Sequence, residues 1–348
     1  MKQYTHGGDV ETFAAQCGCR VDEVIDLSSN INFVTPHIDL DFNTLPIAAY
    51  PRYESLYADI ASHYGVEVDA MELFNGGSAA IFAFFRSFRE NGGQLPTLHP
   101  SKPHRCTIYS PAYLEYKRAA MLFGYDLHLI DRLSDLAAEV PEGSLVIFVN
   151  PATPDGAWYD LEPFLADWHA RRCTVLIDES FIEFTPHPSA TRYLPTYPNL
   201  YILKSMTKFF GAAGIRIGAL LSRADNLQAL KAHEPLWKLS TFDAAYIQAA
   251  LRDTSFPQRS AEANARSKAY LIDLLTHHPL IETIYPSEAN YLLVKLNGIT
   301  ADELQHTLRP HRILIRSCEN FDGLDAHHVR LAVKSLDDLR ALQKALDA

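Results

Sequence analysis

Five short apolar runs, set among segments of helical spacing, constrain this chain more than any other feature. They are CTIYS (106–110), SLVIFVN (144–150), TVLID (174–178), LYILKS (200–205) and IGALLS (217–222). Most lack the strict polar–apolar alternation of a half-exposed strand, so both faces of each are expected to be covered. Around and between them, YESLYADIASHYG (53–65), SAAIFAFFRSFRE (78–90), AYLEYKRAAMLFG (112–124) and DLEPFLADWHARR (160–172) carry helical spacing. Asp160 reads as the N-cap of the last of these. Strand and helix in turn predict an α/β domain, a mostly parallel sheet between two helical layers in a three-layer αβα arrangement.

From about residue 256 the pattern changes. PQRSAEANARSKAYLIDLLTHH (257–278) reads as one long helix, followed by strands at NYLLVKL (290–296), RILIRS (312–317) and HVRLAVKS (328–335) and then a terminal helix. At 348 residues the chain exceeds one small domain. The expected division is a large domain over 45–250 and a smaller α+β C-terminal domain over 251–348. The loop-rich residues 1–44, with one helix near 9–18, are expected to pack on the smaller domain. NGGQLPTLHPSKPH (91–104), rich in Gly, Pro and His, reads as an exposed loop.

Hydrophobic residues make up 47 %, enough for a sizeable core. The net charge of −11 argues against a nucleic-acid partner, which needs a basic footprint, but leaves room for a local basic pocket. Five scattered cysteines, an odd number, suit reduced thiols and a cytoplasmic protein. Cys17-Gly18-Cys19 has no second Cys/His pair at zinc spacing, so no metal is expected. MKQYTHGGDV lacks the apolar segment of a signal peptide, and no run approaches the ~18 apolar residues of a membrane span.

The chemistry concentrates in KSMTKFFGAAGIRIGA (204–219). Lys208 follows a strand directly, where ligands of parallel sheets gather, and sits among Phe209, Phe210, Ala212 and Ala213. Desolvation there would lower its pKa toward a range in which the amine attacks a carbonyl. Ser205 and Arg216 could both grip a phosphate, although a helix-start lysine and an ordinary ion-paired arginine fit this window as well. VLIDESFIEF (175–184) ends a strand on Asp178, a carboxylate that needs a cationic partner if buried. A protonated pyridine nitrogen is such a partner, and pyridoxal phosphate requires both that acid and a lysine. NGGSAAIF (75–82) offers Gly77 and Ser78 at a helix start as an anion cradle, though two glycines also make a plain turn. Tyr113 in SPAYLEY (110–116) could stack on a flat ring or simply fill the core.

Taken together, and in this order along the chain, these pieces resemble the fold-type I pyridoxal-phosphate enzymes of the aspartate aminotransferase superfamily. The resemblance implies that Lys208 tethers the cofactor and that Asp178 pairs with its pyridine nitrogen. It places Gly77, Ser78, Ser205 and Arg216 on the phosphate and Tyr113 on the ring. Tyr50 in AAYPRYES matches a tyrosine that reaches the phosphate of a neighbouring subunit, which implies a homodimer. HGGDV (6–10), IDLSSNINF (25–33) and ILIRSCENFDGLDAHHVRLAVKS (313–335) look like the L-threonine-O-3-phosphate decarboxylases of cobalamin biosynthesis. Histidinol-phosphate aminotransferases are similar through the core. On that likeness His6, Asn30, Arg316 and Arg330 line a pocket for a small phosphorylated amino acid.

Three positions depart from the family pattern. Thr153 in NPATPDG (150–156) stands where an Asn usually donates to the cofactor's phenolic oxygen. Phe181 replaces a common tyrosine donor to the same atom, and Ala79 replaces an acidic residue beside the phosphate loop. The resemblance implies decarboxylation of threonine phosphate to aminopropanol phosphate, with aminotransfer on histidinol phosphate or a similar compound as the alternative. A ligand-binding protein that keeps the fold without catalysis has only Thr153 and Ala79 in its favour.

Overall fold

The apolar runs lie side by side in one seven-stranded sheet. Its order is Met71–Phe74, Gly218–Leu221, Leu200–Ser205, Thr174–Asp178, Leu145–Val149, Arg105–Ser110 and Asp126–Asp131. Every neighbouring pair is parallel except those made by Gly218–Leu221, which is antiparallel to both of its partners. The computed structural model describes residues 7–90 and 105–348, so the 91–104 segment and His6 lie outside it.

Successive side chains of each strand enter opposite layers. Val175 and Ile177 join Val146, Phe148 and Trp168 on one face, while Leu176 joins Ile147, Phe84 and Tyr116 on the other. Helices Gly76–Glu90 and Leu114–Leu122 cover the second face, and Glu54–Tyr64, Glu162–Ala170 and Thr241–Arg252 the first. The three layers read from the sequence are present, because strands without polar alternation leave no face fit for water. No helix among the described residues is long and apolar enough to cross a membrane.

A second, antiparallel sheet runs in the order Arg316–Ser317, His328–Ala332, Tyr291–Leu296, Ile281–Ile284. It packs on helices Phe256–Thr276 and Leu336–Leu346 around Leu271, Leu292, Val294, Leu331 and Leu342. Leu27 enters that core, and Ile25–Asp26 pairs in parallel with Ile313–Leu314.

Some elements differ from their sequence reading. RILIRS is two short strands, broken at Ile315, whose N–H donates to the Gln305 side chain at 2.8 Å instead of to a ladder. Leu161, not Asp160, caps helix Glu162–Ala170, although the Asp160 carboxylate still accepts the Glu162 N–H at 3.3 Å. Asp126–Asp131 and Ile281–Ile284 are edge strands whose polar residues hide the pattern, and Met71–Phe74 is too short to show one.

The antiparallel strand positions everything that follows. Phe74 and Ser205 both pair with Gly218, so the chain leaving Phe74 starts its helix beside Ser205. A Cβ on Gly218 would lie 2.6 Å from the Gly77 nitrogen and 2.7 Å from the Gly76 carbonyl carbon, a space only glycine can occupy. Side-chain parity then separates two sets of charges. Asp178 and Ser205 fall on the same face as Leu176 and Leu203, and Glu179 and Lys204 on the other.

Glu179 and Lys204 form an ion pair only 2 % and 1 % exposed. Ser189 Oγ lies 3.0 Å from Lys204 Nζ, and the Ala190 N–H donates to Glu179 at 2.7 Å. Removing one member strands a buried charge, so Lys204→Met should lower the unfolding free energy by about 3–5 kcal/mol in urea titration. The double variant Lys204→Met/Glu179→Leu should recover most of that loss.

Candidate active site

A cavity of about 300 Å³ opens where the parallel strands end, the place at which such sheets collect their ligands. Each strand delivers its wall from its last residue or from those just past it. Arg105–Ser110 leads to Tyr113, Leu145–Val149 to Thr153, Thr174–Asp178 to Asp178 and Phe181, and Leu200–Ser205 to Ser205 and Lys208. Arg216 arrives on the way into the antiparallel strand, and Gly77 and Ser78 head the helix Gly76–Glu90. The remaining wall comes from Arg330 in the second sheet and from Gly7, Ser28, Ser29 and Asn30.

One end of the cavity is built for an anion. Gly77 and Ser78 lie in the first turn of a 15-residue helix, whose leading amides have no intrahelical acceptor. Ser205 Oγ lies 2.9 Å from Thr207 Oγ1, and Ser78 Oγ lies 3.4 Å from the Tyr113 hydroxyl. Gly76 has φ +80°, and any Cβ on it would collide with the Arg216 guanidinium, which therefore lies directly against the loop. Hydroxyls, helix amides and a guanidinium together suit a phosphate.

Asp178 is 5 % exposed, and burial raises its pKa above the usual carboxylate range. Three donors oppose that rise: the Tyr116 hydroxyl at 2.7 Å, Ser180 Oγ at 2.6 Å and the Ser180 N–H at 2.9 Å. Lys208 is half-buried, and its Nζ has no hydrogen-bond partner among the described residues. Burial first, then the positive charges of Arg330 and Arg216, lower its pKa from 10.5 to about 8. An amine near 8 spends a useful fraction of time neutral, as a nucleophile toward a carbonyl must.

The opposite end carries a second cationic group. Arg330 donates to Thr153 Oγ1 at 3.2 Å and to the Ser28 carbonyl at 3.0 Å, and its guanidinium lies over the Tyr291 ring. Arg316 stands opposite Arg330 in the ladder, 8 % exposed, and donates to Asn320 Oδ1 at 2.8 Å. Burial and then the charge of Arg330 pull its pKa down to about 10.

The sequence-derived residues thus fall into groups. Lys208, Asp178, Gly77, Ser78, Tyr113, Thr153, Phe181, Ser205, Arg216, Asn30 and Arg330 line one cavity. Arg316, beside Arg330 in the ladder, is not among the residues that line the cavity. Tyr50 is 72 % exposed, stacked on Trp237 at 4.2 Å and away from the cavity of its own chain. His6 is outside the described residues, but Gly7 beside it is part of the wall. Sequence reading missed Tyr116, Ser180 and Thr207. Tyr116 was visible in principle, one helical turn after Tyr113 and so on the same side.

The donor set fits pyridoxal phosphate. An amine, a buried carboxylate and an anion cradle border a single space between Tyr113 and Phe181. Arg330 Nε and Asn30 Oδ1 are buried there without a partner among the described residues, as expected where a polar ligand completes the wall. Thr153 Oγ1 accepts from Arg330 and keeps its own O–H to donate, whereas Phe181, packed edge-on to Tyr291 at 5.0 Å, has no donor to offer.

Comparison with known proteins points the same way. The profile of class I and II aminotransferases matches residues 24–347. Threonine-phosphate decarboxylase of Salmonella typhimurium is 30 % identical, over 98 % of this chain and 95 % of that protein. Histidinol-phosphate aminotransferase of Methanothermobacter thermautotrophicus is 28 % identical, over 99 % of this chain and 94 % of its own. The crystal structure of the histidinol-phosphate aminotransferase from Clostridium acetobutylicum superposes with a TM-score of 0.78 at 27 % identity, covering 93 % of this chain and 98 % of that one.

The depressed lysine can be read directly. In cofactor-free protein, the pH midpoint for acetylation of Lys208, followed by mass spectrometry, should lie near 8. Exposed lysines should titrate near ~10.4.

Proposed function

The chain belongs to the class I and II aminotransferases, and on that premise we propose that it is a pyridoxal-phosphate enzyme that decarboxylates L-threonine O-3-phosphate. The carbon–carbon bond to the carboxylate breaks, CO₂ leaves, and a proton takes its place at Cα to give aminopropanol phosphate. When bound, the cofactor's ring would accept the electron pair of the broken bond. The Gly77–Ser78 turn, Ser205 and Arg216 would hold its phosphate, Lys208 would tether it and Asp178 would face its ring nitrogen.

The observation that carries the substrate reading is the pairing of Arg316 with Arg330 across one ladder. Burial lowers the pKa of each, and for Arg316 the charge of its neighbour adds to the effect. A substrate with two anionic groups relieves that cost better than one with a single anion. Threonine phosphate has a carboxylate and a phosphate, whereas histidinol phosphate has only the phosphate. Holding both ends fixes the orientation of Cα, so that remote binding energy is spent on geometry. Lys208, whose amine titrates near 8, is suited to carry the proton to Cα.

Aminotransfer is the second reading. It is supported by the solved aminotransferase at 27 % identity and by a wall around Lys208 that both reactions share.

We further propose a homodimer in the cytoplasm, with Tyr50 reaching the partner's phosphate site. Tyr50, Ile47, Leu236 and Trp237 are 72 %, 68 %, 78 % and 55 % exposed, an apolar surface that a second copy would cover.

Incubation with L-threonine O-3-phosphate and no oxo acid should release CO₂ and aminopropanol phosphate in equal amounts. Product formed only when 2-oxoglutarate is added would favour aminotransfer. For the dimer, Tyr50→Phe should weaken retention of the cofactor in dialysis. A monomeric mass in light scattering together with unchanged retention would refute the trans arrangement.

A further inference from the structure

Lys208 belongs to a helix of only four residues, Met206–Phe209. So short a helix has no stability of its own, and its last carbonyls need hydrogen-bond donors from elsewhere. Asn32 supplies two of them. Its backbone N–H donates to the Lys208 carbonyl at 3.1 Å, and its side-chain Nδ2 donates to the Phe209 carbonyl at 2.8 Å.

Asn32 is itself held rigidly. It is 3 % exposed, and its Nδ2 also donates to Ser260 Oγ at 2.7 Å. Its Oδ1 accepts from the Val34 N–H and from Asn264 Nδ2, each at 3.1 Å. Ser260 and Asn264 lie one turn apart on helix Phe256–Thr276, which packs in the C-terminal core. The short lysine helix is therefore referenced through one amide side chain to the longest helix among the described residues.

The same extended run also forms the far wall of the cavity. Asn30, two residues earlier, lines it, and the Ser28 carbonyl receives Arg330. Lys334 donates to the Ile31 carbonyl at 3.1 Å. Residues 28–32 thus touch the substrate end with one set of groups and the lysine helix with the next.

We propose that Asn32 is a positioning residue that aims the Lys208 amine from behind, tying it to the strip that carries Asn30. This rests on the reading of Lys208 as the cofactor tether. The side-chain bond, not the volume of Asn32, is the working part, so a neutral variant of similar size isolates it.

The experiment compares Asn32→Leu with Ser260→Ala, which loosens the network but leaves both bonds to the lysine helix. In Asn32→Leu, amide hydrogen exchange over 206–211 should accelerate in the cofactor-free protein. The pH midpoint of the bound cofactor's visible absorbance should move, and kcat should fall about tenfold with KM little changed, one buried hydrogen bond's worth. Ser260→Ala should lower Tm yet leave all three readings near wild type. Should Asn32→Leu not fold, Asn32→Ser, too short to reach Phe209, should show the same changes. Wild-type exchange and an unmoved midpoint in the Asn32 variant would overturn the proposal, as would equal shifts in Ser260→Ala. Absence of a pyridoxyl mass on Lys208 after borohydride reduction of the wild type would instead sink the tether reading, while the exchange comparison would still judge the clamp.

Discussion

The contact between Gly218 and the Gly76–Gly77 backbone fixes the layout of the cavity. An all-parallel sheet would separate the end of Met71–Phe74 from the end of Leu200–Ser205 by a full strand running the same way. Reversing the strand between them puts its beginning, rather than its end, at the same edge. Arg216, two residues upstream of Gly218, then comes down onto the helix start that it completes. Backbone against backbone leaves no room for a side chain, and that closeness is what turns two separate loops into one anion site.

Electrostatics within the cavity runs against the sign of the whole chain. The net charge is −11, yet Arg216 and Arg330 line the cavity with Lys208, Arg316 pairs with Arg330 in the ladder, and Lys334 is near enough to lower the pKa of Lys208. These cations disfavour one another as long as nothing negative lies between them, and Lys334, like Arg330, is held below its ordinary pKa by burial. An anionic ligand gains from each of these costs, which is why a small phosphorylated compound suits an otherwise acidic protein. Asp178 follows the opposite logic, since burial works against its charge while the donors Tyr116 and Ser180 favour it.

Much of this architecture was legible in the sequence, for identifiable reasons. TVLID and LYILKS are central strands buried on both faces, so their composition alone marks them, and their final residues Asp178 and Ser205 mark the cavity edge. Lys208 and Arg216 stood out because charged residues in so apolar a window need an explanation. What stayed hidden depends on partners distant in the chain. Tyr116 meets Asp178 across 62 residues and Asn32 meets Phe209 across 177, and neither spacing leaves a local pattern. The Glu179–Lys204 pair was concealed by parity, since each lies next to a residue of the cavity while pointing the other way. Asp126–Asp131 was lost because an edge strand mixes polar and apolar residues as a loop does.

Among the described residues the cavity wall runs from Gly7 to Arg330. A nascent chain that has released its seven-stranded sheet from the ribosome still lacks Arg330 and the ladder that orients it. The segment around Ser28 to Asn30 also waits, because its neighbour Ile25–Asp26 pairs with residues 313 and 314. The anion cradle and Lys208 are complete once Gly218 has paired, whereas the wall made by Ser28, Asn30 and Arg330 forms only after residues 313–332 have joined the fold.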